Sequence, residues 1–212
     1  MKKPNEIREI IDRLSKLYPA AGPELRFANP FEMLIATMLS AQCTDARVNM
    51  VTQELFKRYP DAEALSKVPV IELEEQIKTC GLYHAKAAHI SQTCKELMRL
   101  YGGQVPDDRK KLTDLPGVGN KTAAVVLMAA YGQDYIPVDT HVFRLAHRIG
   151  MVDGAGTADE TEAQLSTIIP DNEKGHVHHL LIWHGRRMCA ARKPNCDACP
   201  LNKELCEFSK QE

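Results

Sequence analysis

The sequence has no long apolar run. Its most apolar stretches, residues 31–39 and 123–130, are far shorter than the roughly 20 residues that span a bilayer. The first residues also contain no apolar core of signal-peptide length. We therefore expect no secretion signal and no membrane partner, and we predict a soluble protein of the cytoplasm.

Net charge is also nearly absent. The 27 Lys and Arg residues and the 28 Asp and Glu residues of the 212-residue chain leave a charge of −1. This excludes a protein that binds nucleic acid through bulk positive charge, so a nucleic-acid partner would need a local basic surface. The hydrophobic fraction of 44% is that of an ordinary globular chain and excludes disorder as the main state.

The sequence also lacks a strict alternation of apolar and polar residues, internal repeats and low-complexity tracts. Apolar residues instead recur at steps of three and four, as at Ile7, Ile10, Ile11 and Leu14. Asn29-Pro30 is typical of a helix start, and Gly132 of a helix end. The sequence predicts an all-α fold, with the glycine-rich segment 150–156 as a candidate linker.

Four of the seven cysteines lie within 18 residues at C-x6-C-x2-C-x6-C spacing: Cys189, Cys196, Cys199 and Cys206. In a reducing compartment such a group favours a metal or iron–sulfur site over disulfides. Zinc sites usually contain two short C-x2–4-C pairs, and only one is present here. Iron–sulfur clusters tolerate looser spacing, so the pattern favours a cluster and leaves zinc open.

The other three cysteines, Cys43, Cys80 and Cys94, are isolated in the sequence. We interpret them as ordinary core or surface thiols.

Basic and histidine residues accumulate before and within the cysteine segment. Its basic residues are either a solvated surface or a phosphate-binding patch: Arg186, Arg187, Arg192 and Lys193. The histidines of the preceding predicted helix lack a carboxylate that would complete a metal site, which favours packing or hydrogen-bonding roles: His176, His178, His179 and His184.

The segment Leu115-Pro116-Gly117-Val118-Gly119-Asn120-Lys121-Thr122 separates two predicted helices. Its two glycines allow a tight turn close to a partner, and amides at the following helix start can bind phosphate. The spacing differs from a Walker motif. The positive end of the helix disfavours the ammonium form of Lys121, which favours the nucleophilic amine.

Asp139 follows Pro137-Val138 and precedes a predicted helix. It is predicted to cap that helix, which would hold an ionised carboxylate rigidly. Such a carboxylate can stabilise cationic charge or move a proton.

Lys121 after LPGVGN, Asp139 within VDTHVFR and the four clustered cysteines occur in a fixed order. With LSAQCTD at residues 39–45, GLY at 81–83 and HGR at 184–186, they resemble the endonuclease III family of helix-hairpin-helix DNA glycosylases over nearly the whole chain. The resemblance implies two helical domains with a DNA-binding cleft between them. A six-helix domain spans residues 28–133, and a cluster domain joins residues 1–27 to residues 134–212.

The resemblance also implies a bifunctional DNA glycosylase and abasic-site lyase acting on oxidised pyrimidines in double-stranded DNA. Lys121 would be the nucleophile, Asp139 the catalytic carboxylate, and the four cysteines the ligands of one 4Fe–4S cluster. The enzyme would be a monomer located at the nucleoid if prokaryotic. The implied DNA contacts are Gln42, Leu82, His84, Leu115, Gly117, Val118, Gly119, His141, Arg144, Arg187, Arg192 and Lys193, with Gln42 and Leu82 filling the gap left by an extruded nucleotide.

Two departures from the family pattern accompany the match. Six residues, 200–205, precede the last cysteine where the family usually has five, so that loop must bulge. Asn120 replaces an arginine common in the family, which removes one potential phosphate contact.

Two rival functions stay open. A monofunctional adenine glycosylase of the same superfamily would lack the nucleophilic lysine and carry a catalytic glutamate near position 36, which here is Ala36. A non-catalytic DNA-binding or redox module would have no covalent chemistry.

Overall fold

A computed structural model describes residues 2–210, and within that range the chain is helical without β-strands. The helices are α1 (Pro4–Leu17), α2 (Pro30–Ser40), α3 (Asp45–Arg58), α4 (Ala62–Ser66), α5 (Val70–Ile77), α6 (Tyr83–Tyr101), α7 (Arg109–Thr113), α8 (Asn120–Tyr131), α9 (Thr140–Ile149), α10 (Ala158–Ile168) and α11 (Lys174–Arg187), before a 3-10 turn at Phe208–Lys210. The predicted all-α fold is confirmed. In this same range, no helix combines the length and the apolar character that membrane crossing requires.

Local sequence signals set the helix ends. The side chain of Asn29 accepts a hydrogen bond from the Glu32 N–H at 2.9 Å, and Pro30 is the first residue of α2. Gly102 and Gly132 end α6 and α8 with left-handed φ values of 58° and 64°. Glycine adopts this conformation at little cost, which explains its position after the last helical residue.

The described residues form two compact units. One unit is continuous, Pro23–Gln133, and contains α2 to α8. The other joins residues 2–22 to residues 134–210 and contains α1 and α9 to α11.

Helix α2 lies at the centre of the continuous unit. Eight of its eleven residues are buried, and it packs against α3, α6 and α8. A helix that is apolar on every side needs such enclosure. This packing fixes the position of the segment that follows α2 at Ser40 and of the segment that precedes α8 at Asn120.

The discontinuous unit has its own core. Helix α1 packs against α11, and α11 against α9. The apolar face of α1 is almost fully enclosed in this core through Ile7, Ile10, Ile11 and Leu14. Near the chain ends, the Lys2 ammonium lies 2.5 Å from a carboxylate oxygen of Glu207. The N-terminal helix is therefore a structural part of the C-terminal unit.

Segment 150–156 is not a linker, so that prediction was wrong. It connects α9 to α10 inside the discontinuous unit, and Met151, Val152 and Ala155 belong to the core of that unit. Gly150 has a φ of 86° and ends α9. Gly150 therefore allows the left-handed turn at the end of α9, and it does not provide flexibility between domains.

Candidate active site and cysteine cavity

The hairpin between α7 and α8 is anchored by two buried side chains. Leu115 is 3% exposed and Val118 is 5% exposed, and the Val118 N–H donates to the Leu115 carbonyl at 3.1 Å. Both were predicted to contact DNA, and their burial leaves only main-chain groups for that purpose. Gly119, in contrast, is exposed and is the capping residue of α8.

Gly117 shapes the same hairpin by letting it approach α6. Its φ is 75°, and a Cβ built on it would lie 2.7 Å from the Cβ of His89. Any other residue would displace the hairpin or α6. The Thr93 hydroxyl, also on α6, donates to the Pro116 carbonyl at 2.6 Å and holds the two elements together.

Lys121 is the second residue of α8 and is exposed. Gly119 provides no side-chain hydrogen bond to the first turn of this helix. Main-chain amides at such a helix start are suited to bind phosphate. The structure therefore combines an accessible amine and a possible anion site at the point where the hairpin becomes a helix.

Asp139 caps α9, as predicted. One carboxylate oxygen accepts hydrogen bonds from the N–H groups of His141 and Val142, both at 2.8 Å. The side chain is half-buried and belongs to the discontinuous unit, whereas Lys121 belongs to the continuous one. Two charge-assisted hydrogen bonds fix the direction of this carboxylate.

The structure brings Gln42 and Leu82 into neighbouring segments of the continuous unit. Both are exposed, and both have left-handed φ values, 53° and 59°. A Cβ on Gly81 would lie 3.1 Å from the Gln42 carbonyl oxygen, so the two segments are in close contact. Strained non-glycine residues persist only where the surroundings hold them, and they often mark functional positions.

His84, a third predicted DNA contact, lies in the first turn of α6. Its Nδ1 is 3.0 Å from a carboxylate oxygen of Glu74, and its ring lies 4.0 Å from the Tyr83 ring. The imidazole is exposed beyond these contacts.

Arg144, predicted to contact DNA, forms hydrogen bonds inside the discontinuous unit. One of its terminal nitrogens donates to the carbonyls of Gly185 and Cys189, each at 3.0 Å, and lies 3.2 Å from His141 Nδ1. A Cβ on Gly185 would lie 3.0 Å from that imidazole nitrogen. Arg144 therefore joins the start of α9 to the end of α11 and to the cysteine segment.

One cavity in the discontinuous unit is lined by all four clustered cysteines: Cys189, Cys196, Cys199 and Cys206. The rest of its lining includes the apolar residues Ile149, Leu201 and Phe208 and polar residues such as His184 and Asn195. His184 Nε2 lies 3.5 Å from the Cys199 sulfur. The structure thus brings the four predicted ligands to the lining of one cavity.

The sequence left two occupants open for this cavity, an iron–sulfur cluster and a zinc ion. Within residues 2–210, no three His, Cys, Asp or Glu side chains are arranged to hold a single metal ion. A tetrahedral zinc site with Zn–S bonds of about 2.3 Å would bring its sulfurs to about 3.8 Å from one another. A 4Fe–4S cubane places its four thiolates at the corners of a larger body.

Arg148 is a residue of this site that the sequence analysis missed. Its guanidinium donates to the Cys189 sulfur at 3.3 Å and to the Ala190 carbonyl at 2.8 Å, and it lies 4.5 Å from the centre of the Phe208 ring. The available signal was its four-residue step from Arg144, which places both arginines on one face of α9.

The extra residue before Cys206 is accommodated by a local turn. Lys203 adopts a left-handed φ of 60°, and its N–H donates to the Ser209 hydroxyl oxygen at 2.9 Å. That hydroxyl in turn donates to the Cys206 carbonyl at 3.1 Å. Cys206 therefore still reaches the cavity.

The basic residues around the cavity lie at the surface. Arg187 stacks over the Trp183 ring at 3.6 Å, a cation–π contact that leaves its charge exposed. Arg192 and Lys193 are exposed within the loop between Cys189 and Cys196. Their placement suits either interpretation left open by the sequence, a solvated surface or a phosphate-binding patch.

The histidines of α11 have the packing and hydrogen-bonding roles that the sequence favoured, and the His179 ring packs against the His178 ring with ring centres 5.1 Å apart. Burial lowers the pKa of His179 and of His184 to about 4, which keeps both rings neutral. Three of these rings form hydrogen bonds: His176 with the Ser15 hydroxyl at 2.9 Å, His178 with the Pro137 carbonyl at 2.8 Å and His184 with the Tyr18 hydroxyl at 3.0 Å.

Comparison with known proteins gives consistent matches. Residues 35–171 match the family described as HhH-GPD superfamily base excision DNA repair protein. Endonuclease III of Escherichia coli (strain K12) is 43% identical over 203 residues, 96% of this chain and 95% of that relative. Endonuclease III of Bacillus subtilis (strain 168) is 44% identical over 196 residues, 92% of this chain and 90% of that relative.

Solved structures agree with these matches. A trapped endonuclease III–DNA covalent intermediate, the estranged-adenine complex, superposes with a TM-score of 0.94 at 45% identity, covering 100% of this chain and 99% of that one. A thermostable thymine-DNA glycosylase superposes with a TM-score of 0.88 at 25% identity, covering 98% of each chain.

The fold and the glycine hairpin before α8 thus define a helix-hairpin-helix protein of base excision DNA repair. Within that class, the chain belongs to the endonuclease III family. It is a DNA-binding enzyme, a DNA glycosylase of base excision repair. The resemblance predicted from the sequence motifs is confirmed.

Proposed function

We propose that this enzyme removes oxidised pyrimidines from duplex DNA and then cuts the strand by β-elimination through a Schiff base on Lys121. The observation that carries the proposal is the exposed Lys121 in the first turn of α8, directly after the glycine hairpin. It occurs in a chain 45% identical to a relative whose structure is described as a covalent intermediate with DNA.

The damaged nucleotide must first leave the helix. A base inside a duplex cannot be reached, and damage lowers the cost of unstacking it. Leu82 is 58% exposed and apolar, so it can occupy the vacated stack. Gln42, held against the Leu82 segment, can donate and accept hydrogen bonds with the base left without a partner.

The Lys121 amine then attacks the anomeric carbon of the sugar, and the base departs with the bonding electrons. Opening of the sugar ring gives an imine between Lys121 and the sugar carbon. The imine acidifies the neighbouring sugar proton, and its removal expels the phosphate on the 3′ side. Hydrolysis of the imine returns the free lysine.

Asp139 supports this chemistry through charge and proton transfer. Its carboxylate can stabilise the cationic sugar as the base leaves, and positioned acid–base groups typically contribute about 10²–10⁴-fold. The two hydrogen bonds from the start of α9 keep the carboxylate oriented, which limits the reorganisation needed during the reaction.

Backbone phosphates would be held by the hairpin amides near Gly117 and Gly119 and by the loop from Cys189 to Cys196. Cys189, Cys196, Cys199 and Cys206 would hold one 4Fe–4S cluster. Ligation by these cysteines would close the loop that carries Arg192 and Lys193, and the two side chains would then face DNA. We further propose a monomer, located in the cytoplasm with the DNA, with residues 28–133 and residues 1–27 plus 134–212 as its domains.

Borohydride reduction tests the proposal on the unmodified chain. Incubated with duplexes containing an abasic site or thymine glycol, the enzyme should form a covalent adduct on reduction and should nick the strand when no reductant is added. A duplex containing uracil serves as the comparison substrate. Base release without adduct or nicking would indicate a monofunctional glycosylase, and neither activity would indicate a non-catalytic DNA-binding module.

The basic loop gives a second measurable expectation. Replacing both Arg192 and Lys193 with alanine should weaken binding to damaged and undamaged duplexes alike. Each phosphate contact contributes roughly −0.9 to the log–log salt slope, so the slope should flatten by up to about two contacts. Iron content should stay at about four atoms per chain, because the cysteine ligands remain.

A control with the same change in charge is available far from this loop in sequence. Lys57 and Lys67 are exposed and form ion pairs with Glu54 and Glu63. Replacing both lysines with alanine should leave the salt slope unchanged. An equal change of the salt slope in the two double variants would indicate that Arg192 and Lys193 belong to a solvated surface and do not contact DNA.

A further inference from the structure

Cys43 and Cys80, isolated in the sequence, are neighbours in the continuous unit. Cys43 lies between α2 and α3, and Cys80 lies between α5 and α6. A Cβ built on Gly81 would lie 3.1 Å from the Gln42 carbonyl oxygen, so the residues adjacent to the two thiols are in close contact. The Cys43 thiol is close enough to Cys80 to contribute to the raised pKa of the Cys80 thiol.

The two thiols differ in access. Cys43 is half-exposed, whereas Cys80 is 1% exposed. Burial and the neighbouring Cys43 raise the pKa of Cys80 to about 11, so Cys80 stays protonated at neutral pH. Such a pair contains one thiol that an oxidant can reach and one that is protected from solvent.

Positive charge surrounds the pair. The ammonium of Lys86, 6% exposed, donates to the Leu39 carbonyl at 2.8 Å and interacts with both thiols. Arg47 adds a second positive charge that favours ionisation of Cys80. Reactive cysteines are found in such electropositive and partly accessible surroundings, because the thiolate is the nucleophile.

Cys94, in the same unit, has the surroundings of an unreactive thiol. It is fully enclosed, and burial alone raises its pKa to about 12. With no access and no interacting thiol, it has no route to a disulfide.

We propose that Cys43 and Cys80 are a modification site, at which a hydroperoxide such as hydrogen peroxide converts the two thiols to a disulfide. The Cys43 thiolate attacks the O–O bond, becomes a sulfenic acid and releases hydroxide. The Cys80 sulfur, giving up its proton, then attacks the Cys43 sulfur and expels water. The two sulfurs together lose two electrons and two protons, and one peroxide is reduced to two waters.

The disulfide would act on the segments that carry Gln42 and Leu82. Forming it requires an S–S bond of about 2.05 Å and a Cβ–Cβ distance near 3.8 Å, which fixes the separation of the two segments. Gln42 and Leu82 are adjacent to the pair and already have strained φ values of 53° and 59°. Displacements near 1 Å at a positioned group can be costly, so the crosslink lowers affinity for damaged DNA. This consequence rests on the proposed function.

Peptide mapping under non-reducing conditions tests the site itself. After treatment of the full-length protein with hydrogen peroxide, a crosslinked peptide containing Cys43 and Cys80 should appear, and dithiothreitol should remove it. Cys43→Ser and Cys80→Ala should each abolish it, whereas Cys94→Ala should retain it. Absence of this peptide from the treated wild-type protein would overturn the proposal.

Binding to a duplex containing an uncleavable abasic-site analogue tests the consequence. Oxidation should weaken binding by roughly fivefold or more, reversibly with dithiothreitol. Cys43→Ser should keep its affinity after the same treatment, and iron content measured in parallel identifies damage at the C-terminal cysteines. A mapped crosslink with unchanged affinity would overturn the effect on binding. If the reduced wild-type protein does not bind the duplex, the proposed function is wrong. Peptide mapping would still show whether Cys43 and Cys80 form a disulfide.

Discussion

Replacing Lys121 with alanine will abolish the borohydride-trapped adduct and reduce strand incision by roughly a thousandfold or more, which is about 4 kcal/mol of transition-state stabilisation. The amine is the group that forms the bond to the sugar, and the helix start around it provides amides but no second amine of its own. Folding should be unaffected, because Lys121 is exposed and alanine favours helices. Gel analysis after reduction measures the adduct, and single-turnover incision measures the rate.

Lys121→Arg is the matched control for charge. Arginine keeps a cation for phosphate contacts but stays protonated, so it cannot attack carbon. DNA affinity should therefore survive in the arginine variant while adduct formation is lost. If either variant still forms the adduct at the wild-type rate, another amine is the nucleophile.

Replacing Asp139 with asparagine will slow base release by about 10²–10⁴-fold while changing stability little. Asparagine caps helices about as well as aspartate, and its side-chain oxygen can accept the same two hydrogen bonds from the start of α9. Loss of the charge near the helix start costs about 0.3–1 kcal/mol. Single-turnover base release and thermal unfolding, measured on the same samples, separate the two effects.

Asp61→Asn provides the corresponding control at another cap. Asp61 accepts a hydrogen bond from the Ala64 N–H at 2.8 Å at the start of α4, away from the hairpin in sequence. Both variants should unfold at similar temperatures, and only the Asp139 variant should lose activity. If the loss of activity in Asp139→Asn follows a large fall in unfolding temperature, Asp139 is structural.

Features encoded by nearby residues were predictable from the sequence. The caps at Asn29 and Asp139 depend on a side chain two or three positions from the amides it binds, and the glycine ends of α6 and α8 depend on one residue each. The position of Lys121 after a glycine hairpin is equally local. Such signals are contained in a short window, and they placed the main candidate residues on the correct elements.

Features that depend on tertiary packing were not predictable. Nothing near Cys43 indicates Cys80, because the contact depends on how α2, α5 and α6 pack. Arg148 gives little sign in its own segment that it will bond to a cysteine 41 positions later. The glycines around 150–156 suggested flexibility because composition does not reveal that Met151 is enclosed in a core. In each case the deciding partner is distant in the chain.

The division of one unit between the two ends of the chain has a consequence for synthesis on the ribosome. Domains fold as units while the chain emerges, so Pro23–Gln133 can fold once its last helix is made. Helix α1 is made earlier, yet its apolar face, including Ile7 and Leu14, packs into a core built mostly from residues 134–210. The Lys2–Glu207 contact closes a loop of 205 positions, which is entropically costly and slow to form. Helix α1 is thus made before the continuous unit but packs after it, and a nascent chain paused after residue 133 exposes an apolar helix face that a chaperone would cover.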